Sequence, residues 1–232
     1  MPYGVGEPLV RGLADDPEVQ LVRDVPRALI GQLRDGHLDA ALVSSIEAFR
    51  RPGYVVLDDL GIACRTQARS VRAFVKPGVA IESVGLDDGS ETSVALLRIL
   101  LARRFGVSSC AFERIAPGLD ADAYPHDVVL LIGDCGLRAT TRTREIVDLG
   151  TAWHELTGMS FVFALWIMPP HADHAAVAAC LRRAAGSGEL RDATNGAIHY
   201  RLDGDDRRGL ERFVAEASAG GLAAPGVLPQ AM

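Results

Sequence analysis

The chain has 232 residues, of which 48% are hydrophobic and 23% charged, which is enough to bury a core in one large domain or two modest ones. Its formal net charge of −6 argues against a nucleic-acid or anionic-membrane surface, because binding phosphates needs a concentrated basic face. We therefore expect a globular protein with neither nucleic acid nor membrane as a partner.

Helical periodicity and short apolar runs alternate along the chain. In order, the pattern predicts a helix over 25–36, strands over 38–45 and 83–87, a helix over 92–105, a strand over 127–133, and helices over 142–157, 172–185 and 205–219. Gly158 and Gly220 follow two of these helices as stop signals. The strands are nearly continuous apolar runs, which is typical of strands buried on both faces. The alternation predicts an α/β fold with a mostly parallel, covered sheet, and the Ala/Gly/Pro-rich tail after 218 is expected to fray.

The start of the chain and its cysteines both indicate a cytoplasmic protein. The N-terminal MPYGVGEPLVRGL lacks the features of a secretory signal, and no apolar run reaches the roughly 18 residues of a membrane span. The four cysteines are widely spaced, with no C-x-x-C pair and no histidines at zinc spacing, so we expect buried free thiols.

Small polar residues follow each predicted strand. The three segments are ALVSSIEAF (41–49), VGLDDGSETSVALL (84–97) and VLLIGDCGL (129–137). Ligands of open α/β sheets bind beyond the carboxyl ends of the strands, so these segments favour a shared binding crevice. Helix N-termini in such a crevice would attract anions. The alternative is that each segment only caps a helix, with Ser90 satisfying the free amides of the helix that follows it.

Several longer segments together resemble the menaquinone-biosynthesis chorismate dehydratases of the futalosine route. They cover nearly the whole chain in order: YGVGEPLVRGL, VPRALIGQLRDGHLDAALVSSIEAF, GIACRTQARSVRAFVK, DDGSETSVALLRILL, DVVLLIGDCGLRA, VDLGTAWHELTGMSFVFALWIM and IHYRLDGDDRRGLERFVAEASAGGL. The resemblance implies an α/β fold like that of the type II periplasmic binding proteins, with two lobes flanking a central cleft. It places the crossings near Val75–Gly78 and Met159–Val162, so that 1–78 and 162–232 form the first lobe and 79–161 an inserted second lobe.

The reaction implied by the resemblance is the loss of water from chorismate to give 3-[(1-carboxyvinyl)oxy]benzoate, without cofactor or metal. Such an enzyme must hold two carboxylates, orient the C3 proton and the C4 hydroxyl, and exclude water. No protein base stands out, so a carboxylate of the substrate itself is a hypothetical proton acceptor. The expected partner is chorismate or another small carboxylate, and a homodimer is left open.

The resemblance also suggests which side chains act in the cleft. We assign substrate binding to Ser44, Ser45, Ser70, Ser90, Thr92, Ser93 and Gly133, and catalytic roles to Ser90 and to Asp134, which would orient the leaving hydroxyl. For each of them a helix cap or turn is the alternative role.

Two positions depart from the family pattern. Val5, between Tyr3 and Pro8-Leu9, stands where the family carries an asparagine, and Glu91 stands where it usually carries an arginine. We expect Glu91 to face the cleft and repel a bound carboxylate, although it could also point outward as a first-turn acid. These departures support an alternative function, a non-catalytic or altered homologue that binds a small carboxylate.

A metal site is the weaker interpretation of HADH at 171–174. His171 and His174 share a helical face with Asp173 nearby, but no third ligand lies at a known spacing, so we expect an exposed helix start there. Trp153 and Trp166 are expected in the core.

Overall fold

The computed structural model describes residues 4–87, 89–186, 190 and 194–232. Its helices are α1 Glu7–Val10, α2 Pro26–Arg34, α3 Glu91–Arg103, α4 Gly133–Arg138, α5 Leu149–Thr157, α6 His174–Gly186 and α7 Gly204–Ala219. Its strands are β1 Ala41–Ser44, β2 Val55–Cys64, β3 Val71–Val75, β4 Ser83–Asp87, β5 Ala111–Ile115, β6 Val128–Ile132, β7 Glu145–Asp148, β8 Phe161–Met168, β9 Ile198–Arg201 and β10 Gln230–Ala231. Short 3-10 helices include Ser45–Phe49, directly after β1. No helix within these ranges is long and apolar enough to cross a membrane.

The strands form two mixed sheets, one in each lobe. The first sheet has the order β1-β8-β2-β10, with β9 also paired to β2, and the second has the order β5-β4-β6-β3-β7. Strands β8, β2 and β9 pair antiparallel, as do β3, β6 and β7, whereas β4 pairs parallel with β5 and β6. The expectation of a mostly parallel sheet is wrong, because an apolar run reports burial on both faces and not strand direction.

The chain passes between the sheets twice. The first passage lies between Cys64 at the end of β2 and Val71 at the start of β3, earlier than the predicted Val75–Gly78, because β3 pairs with β6 and β7 of the second sheet. The return lies between α5, which ends at Thr157, and β8, which begins at Phe161 in the first sheet. The first passage ends at the cleft between the lobes, which Ser70 and Val71 help to line.

Most predicted helices and strands are confirmed, and one is corrected. The segment 142–157 contains an edge strand, β7, before α5 begins, because Asp148 caps the helix there through the Thr151 amide. The β-branched pair Ile146-Val147 suits the strand. Gly158 ends α5 in the left-handed conformation, with φ +72°, as its glycine predicts.

One apolar core joins the two lobes through α3. This helix is buried on nearly all sides and packs against α5, α7, β8 and the 3-10 helix at 45–49. The same cluster of buried side chains contains Leu42 of the first sheet and Leu130 of the second. Trp153 is fully buried in it, and Trp166 is 5% exposed, as expected of core residues. The lobes are therefore held together by packing as well as by the two passages of the chain.

Candidate functional site

A cleft lies between the two lobes where β1, β4 and β6 end. Its polar lining comes from serines and glycines, and its apolar lining from both sheets and from the N-terminal segment. The lining residues are Ser44, Ser70, Gly89, Ser90, Ser93, Gly133, Val5, Gly6, Pro26, Ile62, Val71, Ile132, Phe163, Ala164 and Ile198. The space between them, including the open mouth, is about 560 Å³. None of these residues is charged, so the cleft offers hydroxyls and apolar surface to a ligand.

Ser90 both caps α3 and lines the cleft. Its hydroxyl oxygen accepts hydrogen bonds from the Ser93 amide at 3.2 Å and from the Ser93 hydroxyl at 3.1 Å. The hydroxyl of Ser44, from the other lobe, lies 3.4 Å away. The three serines therefore form a small hydroxyl cluster at the mouth of α3, to which both lobes contribute.

Ser45 and Thr92 lie behind this cluster, outside the lining. The Ser45 hydroxyl donates to the carbonyl of Val162 at 2.8 Å and lies 3.2 Å from the Thr92 hydroxyl, which accepts from the Ile46 amide at 3.1 Å. Both side chains are fully buried. Because their hydrogen-bonding groups are used within the protein, these two residues join the lobes instead of facing a ligand.

Gly133 lines the cleft, whereas its neighbour Asp134 does not. Gly133 has φ +62°, a backbone conformation that residues other than glycine adopt only at a cost in free energy. Asp134 lies in the first turn of α4, is exposed to solvent, and is not part of the cleft lining. Gly133 therefore lies in the cleft, where its predicted role in substrate binding requires it. Asp134 lies outside the cleft, whereas its predicted catalytic role requires it inside.

Glu91 does not line the cleft. Its carboxylate accepts hydrogen bonds from two nitrogens of Arg50, both at 3.2 Å, and from Arg114 at 3.4 Å. Arg50 follows the 3-10 helix of the first lobe, and Arg114 lies on β5 of the second. The expectation that Glu91 faces the cleft is therefore wrong, because two guanidinium groups outside the cleft hold its carboxylate.

Val5 is half-buried in the cleft wall. Its carbonyl accepts a hydrogen bond from the Tyr200 hydroxyl at 2.8 Å, which fastens the N-terminal segment to β9. The apolar side chain stands among the lining residues, where an amide would be able to reach a ligand. Tyr3 lies outside the described residues.

Within the described ranges, no group of three or more histidine, cysteine, aspartate or glutamate side chains is arranged to hold a metal. A ring nitrogen of His174 lies 2.9 Å from the carbonyl of Pro169, and the Asp173 carboxylate accepts from the Ala176 amide at 3.1 Å. Both are contacts at the start of α6. The cysteines are free; Cys64 is buried, which raises the pKa of its thiol, and the other three are half-buried.

Sequence reasoning missed Asp87, a buried carboxylate that shapes the cleft. It accepts hydrogen bonds from the Gly89 amide and from the Ile132 amide, both at 3.0 Å. It therefore ties the loop after β4 to the end of β6, so that two cleft-lining segments keep a fixed spacing. The signal was an aspartate ending an otherwise apolar strand, which rarely occurs unless the carboxylate has partners.

Comparisons with known proteins agree with this architecture. A family model described as menaquinone biosynthesis matches residues 3–195. The chorismate dehydratase of Thermus thermophilus is 31% identical, over 85% of this chain and 86% of that protein.

Solved structures show the same fold at low identity. A protein from Archaeoglobus fulgidus superposes with a TM-score of 0.63 at 14% identity, covering 95% of this chain and 96% of that one. The zinc-bound ligand-binding component of an ABC-type import system from Staphylococcus aureus gives a TM-score of 0.60 at 10% identity, covering 96% and 91%. The fold is thus the two-lobed α/β fold of periplasmic-binding-protein type, and the chain belongs to the menaquinone-biosynthesis family.

Proposed function

We propose that this protein is a chorismate dehydratase, a lyase that removes water from chorismate to give 3-[(1-carboxyvinyl)oxy]benzoate. The observation that carries the proposal is the hydroxyl-lined cleft between the lobes, in a chain that matches the Thermus thermophilus chorismate dehydratase along most of its length. The reaction needs a pocket that orients a small dicarboxylate and excludes water, and it needs no redox or group-transfer chemistry.

The serines of the cleft are the proposed ligands of the substrate carboxylates. Ser44, Ser90 and Ser93 offer hydroxyls from both lobes, and Ser70 offers one from the passage between them. Hydrogen bonds from neutral donors to a carboxylate are charge-assisted and short, so a few of them can fix the orientation of the ring. The apolar wall formed by Ile62, by Phe163 and by the other aliphatic lining residues packs against the ring itself.

The chemical step follows from the substrate. The proton at C3 is acidified through the conjugated ring carboxylate, the C4 hydroxyl leaves, and the proton and hydroxide depart together as water while the ring becomes aromatic. None of the described lining residues is a titratable base. We therefore assign the C3 proton to a carboxylate of the substrate, and we assign orientation and exclusion of water to the protein.

The decisive experiment is incubation of the purified protein with chorismate, followed by chromatographic detection of the benzoate product. Ser93→Ala should lower kcat/KM by a factor of about ten or more, the loss expected for a hydrogen bond to a charged group. Chorismate at about a hundred times Kd should stabilise the fold by about 2.7 kcal/mol. Absence of both product and thermal stabilisation would refute the proposal.

The presence of Val5 in the cleft favours a second candidate, a homologue that binds chorismate or a similar carboxylate without converting it. This protein would show thermal stabilisation without product. Val5→Asn restores the amide of the family pattern and separates the two candidates. If the missing amide is the cause of inactivity, the variant gains turnover, whereas a wild-type protein that already converts chorismate excludes the second candidate.

A further inference from the structure

The first passage between the lobes contains a strained turn directly before Ser70. The Ser70 amide donates to the carbonyl of Ala68 at 2.7 Å, which closes a three-residue turn around Arg69. Arg69 has φ +61°, in the left-handed region that residues other than glycine rarely occupy. Such strain persists only where the surroundings impose it, and it is found most often at functional sites. The residues that this turn delivers to the cleft are Ser70 and Val71.

The Asp148 carboxylate imposes this conformation. One oxygen accepts from the Ala68 amide at 3.0 Å and from the Thr151 amide at 3.0 Å, and the other accepts from the Arg69 amide at 2.6 Å. Two of these three donors belong to the strained turn, and only the third is a helix-capping contact of α5. Asp148 therefore uses most of its hydrogen-bonding capacity outside its own helix.

Two glycines allow the passage to pack tightly against the second lobe. A Cβ on Gly150 would lie 2.6 Å from the Cys64 sulfur and 2.9 Å from the Ala68 nitrogen. A Cβ on Gly136 would overlap the Ser70 carbonyl oxygen. Because both positions admit no side chain without a shift of backbone, the passage is held from two sides, and Asp148 supplies the polar contact that fixes its turn.

We propose that Asp148 is a positioning residue of the cleft, which holds Arg69 in its left-handed conformation and thereby fixes where Ser70 enters the cleft. The Ser70 hydroxyl donates to the Ala68 carbonyl at 3.4 Å in this structure, and substrate binding turns it to the bound carboxylate. The inference rests on the proposed function for its substrate, but its geometric part concerns the backbone alone. Asp148 does not line the cleft and acts only through the turn.

Asp148→Ser separates the two roles of the residue. Serine is a good helix cap and can still accept from the Thr151 amide, but its short hydroxyl cannot reach the Ala68 and Arg69 amides as well. We expect kcat/KM for chorismate to fall by about tenfold or more, as for the loss of a hydrogen bond to a charged group. In a Ser70→Ala background the same change should have less than about a twofold further effect, since the hydroxyl being positioned is already absent.

Rescue by glycine distinguishes positioning from general stability. Arg69→Gly removes the penalty of positive φ, so it should recover about threefold of kcat/KM in the Asp148→Ser background. In the wild-type background it should give no gain, because Asp148 already imposes the turn and because the change removes the hydrogen bond from the Arg69 side chain to the Thr194 carbonyl at 3.3 Å. A loss of α5 capping would not be repaired by a change at residue 69.

Amide hydrogen exchange tests the geometric part without any substrate. In Asp148→Ser the amides of Ala68 and Arg69 should exchange about tenfold faster, while that of Thr151 keeps its protection. Unchanged exchange at residues 68 and 69, or additive effects of Asp148→Ser and Ser70→Ala on turnover, would overturn the inference. A wild-type protein that does not convert chorismate overturns the proposed function instead, and the exchange result still decides whether Asp148 holds the turn.

Discussion

Charge reversal at Glu91 tests where that side chain points. In the structure the Glu91 carboxylate lies between Arg50 of the first lobe and Arg114 of the second, outside the cleft. Glu91→Arg would remove the acceptor and bring a third guanidinium group beside the other two. We therefore expect the variant to lose stability and to bind chorismate as the wild type does, within a factor of about three.

The expected loss of stability can be worked out from the exposure of the three side chains. The Arg50–Glu91 contact is 3.2 Å long with side chains 28% and 25% exposed, and the Arg114–Glu91 contact is 3.4 Å long with Arg114 53% exposed. At an effective dielectric constant of about 20, the gross attraction of such a pair is roughly 5 kcal/mol. Solvent screening and side-chain ordering reduce the measured value to about 0.2–1 kcal/mol for each pair. Losing both pairs and adding like-charge repulsion should cost about 2 kcal/mol, which lowers Tm by about 4–8 °C.

Urea denaturation at low and high salt measures this loss, which should shrink as salt screens the repulsion. The matched control is the double variant Arg50→Glu with Glu91→Arg, which restores one oppositely charged pair across the lobes and should recover about 0.5–1 kcal/mol. Tighter binding of chorismate by tenfold or more in Glu91→Arg, with stability intact, would show that residue 91 faces the cleft and that the assignment above is wrong.

Three further predictions concern stability and chemistry. Burial tends to raise the pKa of Asp206, but hydrogen bonds from the His199 ring and the Asp203 amide outweigh it, so the folded pKa lies below the unfolded value near 3.9. The ionised Asp206 carboxylate therefore stabilises the folded state fully above about pH 5, and this stabilisation is lost as the pH falls toward the folded pKa. Asp206→Asn should flatten the pH dependence of urea unfolding below about pH 5. Thr92→Val should destabilise the fold by about 1–3 kcal/mol because it leaves the buried Ile46 amide unpaired, while the Ser45 hydroxyl keeps its hydrogen bond to the Val162 carbonyl, and the Kd for chorismate in calorimetry should stay unchanged. Turnover should survive exhaustive chelation, and restoration of lost activity by a divalent ion would contradict a cleft that works by hydroxyls alone.

The sequence predicted individual elements better than their arrangement. The helix over 92–105 and the strand over 83–87 were predictable, because burial and periodicity are local properties of the chain. The antiparallel partners of β3 and β8 were not, since strand direction depends on contacts far apart in sequence. The edge strand β7 lies in a segment whose periodicity predicts a helix, because its residues are partly exposed and give no apolar run.

The candidate site shows a similar limit. Small polar residues after strands located Ser44, Ser90 and Ser93 at the cleft, since strand ends converge in this fold. The same signal also selected Ser45 and Thr92, which lie one residue away from lining positions and point into the interface. Adjacent residues at a helix start face different directions, so composition alone could not separate ligand hydroxyls from those that join the lobes.

The described residues that line the cleft are all uncharged, and this bears directly on the proposed chemistry. A guanidinium or ammonium group beside a substrate carboxylate would bind it tightly, but it would also lower the pKa of that carboxyl and make it a weaker base. Hydroxyl donors such as Ser90 and Ser93 orient the same carboxylate with a smaller effect on its pKa. If the substrate supplies its own proton acceptor, a cleft lined by serines and aliphatic side chains favours the elimination step over tight ground-state binding. Arg50 and Arg114 fit this logic, because the structure holds both cations on Glu91, outside the cleft and away from the reacting carboxylate.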